Sequence, residues 1–569
     1  MTEYPSVPEH EAEQTFAALT DRILDSLLAR DPVSATWLGD HRFDDRLPDL
    51  SLEGIDESRR TVEHAMAALD QVDDLALGTG SAVDLEILRS RLVGDRLELD
   101  TLVEHTWNPL VANPGTAIHL LLARDFAPLE ERLASVAGRL AAVPEALAVA
   151  RESLSGMPRI HVETAIGQFG GTQAMLGATL AEALEQAPSA RAAVDAVLPA
   201  AVGAIEAHIG WLRDRLESGY AHGDPRLGEE KYAAKLWATL DADLNPDDVL
   251  HRAESDLARL EGEIARAAAE YLGVEVPPPD DAGPVVRRAL AAVADEGPVD
   301  DSTVLGLCRA AYDATRAFVV DHELVTVHDD PVEIIEMPEI HRGVAVAYCD
   351  APGPLETVDL PTFFAVSPTP SDWDAERVAS FYREYNASML HNLAVHEAMP
   401  GHVLQLGHSR RPSSPTRVRT ALQSGPFAEG WAVYAEELMA DRGYAPPGAA
   451  DPQRAALAIR LQQLKMQLRM TINAVLDVRV HARGMTEEEG MRLMQVRGHQ
   501  EEGEAYGKWR RALLTSTQLS TYYVGYLGIR DAVAEARAAF PSWTDRQLHD
   551  ALLAHGSPPP RHLRALMGV

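Results

Sequence analysis

The stretch NPDDVLHRAESDLARLEGEIARAAAEYLG, from Asn245 to Gly273, follows the pattern of an amphipathic helix along its whole length. Asn245 can accept a hydrogen bond from the first turn, and Pro246 suits the first helical position because an N–H there has no partner. Apolar residues recur at helical spacing up to Leu272. Gly273 can adopt the left-handed conformation in which many helices end. The sequence therefore predicts one long helix here.

The same helical spacing extends outward over the N-terminal half, from Glu11 to about His322. Proline and glycine interrupt it at short intervals, and residues 276–279 read VPPP, which is typical of a linker or exposed loop. No motif recurs at a fixed period, which argues against a regular solenoid. We therefore expect an array of helices that forms an N-terminal division at residues 1–325.

Between residues 332 and 366 the helical spacing of apolar residues gives way to short runs typical of β-strands. The runs VEIIEM, GVAVAYC and LPTFFAV are β-branched or aromatic and are separated by proline and glycine. This pattern favours a small sheet or hairpin next to the helix that follows. Two roles stay open for it: an exposed strand edge could hold an extended peptide by main-chain hydrogen bonds, or the sheet could be a structural flap that closes the core.

A helical pattern resumes near Asp374 and continues almost to the C-terminus, with interruptions at residues 410–416 and 446–452. The whole chain is therefore predicted to be mainly α-helical with one small sheet. Its 569 residues exceed the size at which a single core stops growing. We expect a second division at residues 326–569, with an approximate boundary.

The segment HNLAVHEAMPGHVLQ, residues 391–405, carries the clearest chemical signal. The familiar zinc motif H-E-x-x-H places two imidazoles on one face of a helix, with the glutamate between them as general base. Here Glu397 follows His396, but His402 is six residues from His396. In a straight helix that spacing points the two rings about 120° apart. A regular helix could not direct both imidazoles at one ion.

Pro400 and Gly401 offer a way around this spacing. Pro400 lacks an N–H, and its ring would clash with the carbonyl of His396, so a helix must kink or widen there. Gly401 allows backbone conformations that other residues avoid. We expect a kink or widened turn that brings His402 back beside His396.

A third ligand is expected from SGPFAEGWAVYAEELM, residues 424–439, in which Glu429 stands at the start of an amphipathic helix. Glu436 lies two turns further on, on nearly the same face. Either carboxylate could be the ligand while the other orients an imidazole. The glycines around Glu429 allow a close approach to a buried site, which favours Glu429, with Glu436 as the alternative.

These two segments resemble the family catalogued as domain of unknown function 885. Its members carry an H-E-x-x-P-G-H segment followed by an E-G-W-A-x-Y-x-E segment. This chain has the first at residues 396–402 and the second at residues 429–436. The resemblance implies a zinc metallopeptidase of mostly helical fold whose domain spans nearly the whole chain. It also implies a distant similarity to the clamshell-like, multi-helix metallopeptidases.

The resemblance further implies a role for each motif residue. The metal ligands would be His396, His402 and Glu429, and Glu397 would be the base. Members of the family commonly continue P-G-H-H, whereas this chain has Val403. Any role of that second histidine is therefore absent here.

A third block, TQLSTYYVGYLGIR at residues 517–530, resembles the family's C-terminal Q-x-x-x-Y-x-x-G segment through Gln518, Tyr522 and Gly525. A tyrosine near a zinc site can donate a hydrogen bond to the oxyanion that forms when water attacks a carbonyl. We assign this role to Tyr522, with Tyr523 in reserve. The competing interpretation is that these aromatic residues only pack in the core.

The composition excludes several classes of protein. The formal net charge of −36, from 87 acidic and 51 basic residues, repels a phosphate backbone and argues against nucleic acid as a partner. The N-terminus shows neither a basic start nor an apolar run, so no membrane association is expected. Cys308 and Cys349 are too few for a disulfide framework, which favours a cytoplasmic location. Any metal must therefore be held by histidines and carboxylates.

Together these residues predict a hydrolase that cleaves amide bonds in short peptides, with one zinc ion per chain. Two imidazoles and a carboxylate suit zinc best, and manganese or cobalt can occupy such sites. Glu397 would take a proton from the activated water. Two alternatives stay open: an amidase for small-molecule or natural-product amides, and a non-catalytic helical binding protein with a structural or vestigial metal site. The histidines expected to be packed or solvated are His391, His408, His481 and His499.

Overall fold

The computed structural model describes residues 9–337, 347–370, 373–411, 413–414 and 416–569. Most of these residues are α-helical, and three short strands form a sheet, which confirms the predicted fold class. The α-helices are α1 (Glu9–Arg30), α2 (Pro32–Leu38), α3 (Leu52–Leu69), α4 (Thr79–Leu97), α5 (Gly115–Ala123), α6 (Leu129–Ser153), α7 (Arg159–Gly177), α8 (Thr179–Gln186), α9 (Arg191–Glu217), α10 (Glu229–Leu240), α11 (Pro246–Leu272), α12 (Ala282–Glu296), α13 (Val304–Asp321), α14 (Ala375–Glu384), α15 (Ala387–Glu397), α16 (His402–Ser409), α17 (Val418–Ala421), α18 (Gly425–Asp441), α19 (Pro452–Arg483), α20 (Glu487–Arg492), α21 (Glu502–Leu514), α22 (Ser520–Ala539), α23 (Asp545–Leu553) and α24 (Leu563–Met567). Two π-helical segments extend α4 and α20, at Glu98–Leu102 and Leu493–Arg497.

Helix α11 confirms the prediction made for residues 245–273. The side chain of Asn245 accepts a hydrogen bond from Asp248 N at 2.9 Å, and Asp248 caps Asn245 N in return. This reciprocal pair satisfies two N–H groups that a helix start otherwise leaves without partners. Gly273 ends the helix with a φ of 65°, a left-handed conformation that a side chain would oppose.

The chain divides into two compact units. Unit 1 comprises Met1–Pro225, Pro352–Leu360 and Ser414–Ala421, and unit 2 comprises Arg226–Ala351, Pro361–Ser413 and Leu422–Val569. The division after residue 225 differs from the expected boundary near residue 325. The reason is that helices α10, α11 and α13 pack against α19 and α15, within unit 2.

The core of unit 1 is built around α6 and α9, which pack along one another. Both are long and apolar enough to cross a membrane, and both contribute fully buried side chains to this core, such as Leu140 and Ile205. The returning segment of unit 1 is held by a buried ion pair at 2.6 Å between Arg419 of α17 and Asp84 of α4. Two buried charges are tolerated there because each neutralises the other.

The sheet of unit 2 has the strand order β1-β3-β2, with β1 at Val332–Glu336, β2 at Ala347–Asp350 and β3 at Thr362–Val366. β3 pairs with β1 in parallel and with β2 in antiparallel register. The central strand is the most buried, with Phe364 fully inaccessible to solvent. Residues 343–346 of the predicted strand GVAVAYC lie outside the described residues. β2 contacts α15 and so places one sheet edge beside the histidine segment.

Candidate metal centre

The histidine segment is split between two helices. α15 ends at Glu397, residues 398–401 form a turn, and α16 begins at His402. The expected kink or widened turn within one continuous helix is therefore wrong. The chain already leaves the helical conformation at Ala398, with φ −127° and ψ −81°. Pro400 cannot donate a hydrogen bond to continue the helix, and it disfavours a helical conformation in the residue before it.

Gly401 folds this turn back onto the end of α15. Its N–H donates a hydrogen bond to the carbonyl of Val395 at 2.9 Å. A Cβ atom at this position would lie only 1.8 Å from the carbonyl oxygen of His396. The absence of a side chain therefore allows the close approach that brings His402 beside His396, with ring centroids 4.9 Å apart and ring planes at 89°. The two histidines therefore lie side by side as expected, but a turn between two helices brings them together instead of a kink within one helix.

A second close contact aligns α18 with α22. A Cβ atom on Gly430 would lie 2.4 Å from the carbonyl oxygen of Gly525, and one on Gly525 would lie 1.9 Å from the carbonyl oxygen of Pro426. Glycine at both positions therefore lets the two backbones touch. Glu429 precedes Gly430, and Tyr522 lies about one turn before Gly525. The contact consequently fixes the carboxylate-bearing helix relative to the tyrosine-bearing helix.

The structure brings His396, His402 and Glu429 into one cluster. One potential ligand atom from each residue lies within 4.8 Å of the other two. Glu429 Oε2 is 3.6 Å from Nε2 of His396 and 3.6 Å from Nε2 of His402. Donor atoms about 2.0–2.1 Å from a tetrahedral zinc ion would be roughly 3.3 Å apart. The observed spacing needs only a small contraction to hold such an ion.

The chemistry of the cluster also fits a cation. Glu429 Oε2 is buried and accepts no hydrogen bond from any described group. Burial raises the pKa of Glu429, but the two imidazoles outweigh burial and hold it well below its usual range. Burial lowers the pKa of His396, but Glu429 and Glu436 outweigh it and raise the pKa well above its ordinary value. These opposite shifts show that the cluster stabilises positive charge, which a divalent cation can supply in place of protons.

Glu436 contacts the other nitrogen of the first histidine. Its Oε1 lies 2.7 Å from His396 Nδ1, and its Oε2 accepts a hydrogen bond from Asn392 Nδ2 at 2.6 Å. A proton on Nδ1 leaves the lone pair of Nε2 directed at Glu429 and His402. Glu436 therefore occupies the position of a carboxylate that orients a ligand imidazole.

Glu397 lies close to the three ligand residues but contributes no atom to their cluster. Its Oε2 accepts a hydrogen bond from Cys349 N in β2 at 3.0 Å. Burial raises the pKa of Glu397, while the nearby imidazoles of His396 and His402 lower it in part. A carboxyl group with a raised pKa is better suited to accept a proton near neutral pH than an ordinary glutamate. The small sheet thus holds this carboxylate in place.

A cavity of about 160 Å³ in unit 2 opens onto this cluster. Its wall combines six apolar side chains with ten that carry polar, charged or phenolic groups. The residues that line it are Ala347, Tyr385, Met389, Asn392, Leu393, His396, Glu397, Val433, Glu436, Met466, Arg469, Met470, Asn473, Lys508, Arg511 and Tyr522.

Tyr522 lines this cavity, whereas Tyr523 does not. The oxygen of Tyr522 accepts hydrogen bonds from Arg511 Nη2 at 3.1 Å and from Gln518 Nε2 at 3.2 Å. Because two donors occupy its lone pairs, the hydroxyl proton is left to donate to a ligand. Burial raises the pKa of Tyr522, which keeps that proton in place. Tyr523 instead donates to Asp256 at 2.7 Å.

Five further charged or amide residues of the cavity wall were not predicted from the sequence: Asn392, Arg469, Asn473, Lys508 and Arg511. At each of these positions the sequence pattern predicts an amphipathic or buried helix, and it does not show which side chains face a cavity. The available signal was weak: Lys508 and Arg511 lie three positions apart in α21, a spacing that also occurs on solvated helix faces.

The four histidines expected to be packed or solvated lie outside the cavity lining. Three of them have hydrogen-bond partners: His391 with Tyr444, His408 with the carbonyl of Thr326, and His481 with the carbonyl of Ala512. His499 is largely buried, and burial lowers its pKa to about 4. None of the four belongs to the group of potential metal ligands found among the described residues.

Fold and site together define a mainly helical protein with a candidate metal centre of two histidines and one glutamate beside a small cavity. The chain belongs to the family described as "Bacterial protein of unknown function (DUF885)", which matches residues 32–567. This confirms the family resemblance drawn from the motifs. No curated protein matches the chain.

Two solved structures share the fold over almost the full length. A chain described as "a putative lipoprotein of unknown function from Shewanella oneidensis" is 28% identical, with a TM-score of 0.81 over 97% of this chain and 100% of that chain. A chain described as "the putative lipoprotein from Colwellia psychrerythraea" is 16% identical, with a TM-score of 0.78 over 98% of each chain. At 16% identity, the similarity to the Colwellia chain shows a shared fold and nothing about function.

Proposed function

We propose that this protein hydrolyses amide bonds in short peptides, using one zinc ion held by His396, His402 and Glu429. The observation that carries the proposal is the placement of Glu397. It lies next to a ligand imidazole and lines the same cavity, yet it is hydrogen-bonded to β2 instead of joining the ligand cluster. A general base must reach the attacking water without itself occupying the metal.

Zinc, when bound, would supply the Lewis acidity that activates water and polarises the scissile carbonyl. Glu397 accepts the proton of the water and passes it to the leaving nitrogen. Tyr522 donates its hydroxyl proton in a hydrogen bond to the carbonyl oxygen as negative charge develops there. Glu436 holds the imidazole of His396 with Nε2 facing the cluster. The apolar part of the cavity wall lowers the local polarity, which strengthens each of these electrostatic contacts.

A purely structural metal site is disfavoured by the number of donors. Structural zinc sites are closed by four protein ligands, whereas catalytic sites keep one position open. The described residues contribute three ligand atoms to this cluster. An amidase for small-molecule amides would use the same groups, and the substrate screen below distinguishes the two.

The proposal is tested by metal analysis followed by a substrate screen. We expect about one zinc per chain by elemental analysis and loss of that zinc in His402→Ala, because three protein donors are the minimum of a catalytic zinc site. Zinc-loaded protein is then incubated with a peptide library and with small amides, and products are identified by mass spectrometry. Full zinc occupancy in His402→Ala would show that the cluster is not the metal site.

We also propose a cytoplasmic location, on the sequence features given above. The Shewanella relative is described as a putative lipoprotein, and a membrane location is the alternative for this chain. Cell fractionation of the native host decides between the two, since the cytoplasmic fraction should contain the protein if the proposal is right.

A further inference from the structure

Two cations of α21 line the cavity, and no carboxylate of the described residues forms an ion pair with either. Lys508 and Arg511 are three residues apart, so they share a face of the helix, and both line the cavity that contains Glu397. Neither forms an ion pair within the part of the chain that the structure describes. Arg469, in the same cavity wall, is paired with Glu504. Lys508 and Arg511 therefore have no direct ion pair among the described residues, although Glu504 and Glu429 act on Lys508 from a longer distance and partly raise its pKa.

Leaving these cations without an anion is costly. Lys508 is only 6% exposed, and burial together with Arg469 lowers its pKa well below the ordinary value. Arg511 uses Nη2 to donate to Gln518 at 2.8 Å and to Tyr522 at 3.1 Å. Its Nε and Nη1 have no protein acceptor among the described residues. An anionic ligand would offset the desolvation of both side chains and favour the protonated form of Lys508.

The size and lining of the cavity restrict this ligand. Its volume of about 160 Å³ is close to that of a cavity that holds one benzene molecule. The apolar part of the wall consists of Ala347, Met389, Leu393, Val433, Met466 and Met470. The cavity therefore suits a single apolar residue. Asn473 adds an acceptor, because its side chain is 5% exposed and its Oδ1 has no hydrogen-bond donor among the described groups.

Building on the amide hydrolysis proposed above, we propose that Lys508 and Arg511 bind the terminal carboxylate of a peptide, so that the protein removes one apolar residue from the C-terminus. A residue in the cavity presents its peptide bond to Glu397 and its carboxylate to α21. Water adds across that last C–N bond: OH joins the acyl carbon, and H joins the nitrogen of the released amino acid. An internal peptide bond would instead leave both cations facing a neutral amide.

The test uses two tripeptide libraries of the same sequences, one with a free C-terminal carboxylate and one with a C-terminal carboxamide. Zinc-loaded protein should remove the last residue from the acids and cleave the amides at least about 30-fold more slowly, since a buried charge would lose its partner. Lys508→Met should raise KM for the acids about 10- to 100-fold. Lys508→Arg, which keeps the charge, should recover most of that loss. Arg492→Gln removes an exposed cation paired with Glu488 and should leave KM unchanged.

Equal rates on the two libraries would overturn the carboxylate subsite and leave amide hydrolysis intact. If neither library is cleaved, the proposed function fails and binding decides the subsite. Alanyl-alanyl-leucine and its carboxamide are then titrated calorimetrically into wild-type protein and Lys508→Arg and Lys508→Met variants of confirmed thermal stability. Tighter binding of the acid, weakened about tenfold or more by Lys508→Met but not by Lys508→Arg, supports the subsite. Equal affinity for acid and amide overturns it.

Discussion

Replacing Glu436 with glutamine should weaken zinc binding without abolishing it. In the structure this carboxylate accepts a hydrogen bond from His396 Nδ1 at 2.7 Å and another from Asn392 Nδ2 at 2.6 Å. Glutamine keeps one oxygen for the imidazole but removes the negative charge. Its amide nitrogen would also face the Asn392 donor, so that hydrogen bond is lost unless the Asn392 amide turns over.

The expected magnitude follows from these two losses. Outer carboxylate partners of ligand histidines typically contribute 10- to 100-fold in metal affinity. That range corresponds to about 1.4–2.8 kcal/mol. Because glutamine retains the acceptor for His396, we expect the Glu436→Gln protein to lie towards the lower end, near tenfold.

Zinc affinity is measured by competition with a chromophoric chelator, and the melting temperature of the metal-free protein is measured alongside. Glu437→Gln is the matched control, because Glu437 is the next residue of α18 and accepts from Tyr526 at 2.8 Å instead of contacting a candidate ligand. Two results would refute the reasoning. Complete loss of zinc, as expected for Glu429→Gln, would make Glu436 itself a ligand. An affinity equal to that of Glu437→Gln would mean that Glu436 does not orient the imidazole.

Three further variants test the remaining parts of the site. Glu397→Gln should lower turnover by about two to four orders of magnitude at unchanged zinc content and melting temperature, and an active variant would exclude Glu397 as the base. Gly401→Ala should lose zinc and stability, because the added methyl group would collide with a backbone oxygen. Elemental analysis and thermal melting measure the two losses. Gly425→Ala is the control, since a methyl group there meets nothing within 4 Å. Tyr522→Phe should lower kcat about 10²- to 10³-fold with little change in KM, whereas Tyr523→Phe should retain activity; equal effects would remove Tyr522 as the oxyanion donor.

The parts of the fold that local rules determine were predictable from the sequence. Helix α11 has a cap, a proline at its first position and a terminal glycine, and the structure shows all three in those roles. The spacing of His396 and His402 showed that a regular helix could not join them. It could not show whether the helix would widen or end, because that depends on contacts of Gly401 with backbone carbonyls that only the folded turn creates.

Tertiary contacts decide what the sequence left open in the site. Glu429 and Glu436 are two turns apart on one helix, and their surroundings alone distinguish them: one faces both imidazoles, and the other contacts His396 Nδ1. Lys508 and Arg511 gave only a weak signal, because a pair of cations on one face of a helix is ordinary unless a cavity forms beside it. The division after residue 225 also depends on tertiary contacts, since the residue pattern of a helix does not show which core the helix joins.

The contact between Gly430 and Gly525 has a consequence for how the site tolerates sequence change. Side chains at most helix–helix contacts can change rotamer, so a substitution in the packed layer shifts the distance between the helices by a fraction of an ångström. Where backbone rests on backbone, no rotamer exists to change. The separation of Glu429 and Tyr522 is therefore insulated from variation in the surrounding core. Substitutions in the cavity wall should therefore change what the cavity accepts while the spacing of Glu429 and Tyr522 stays constant.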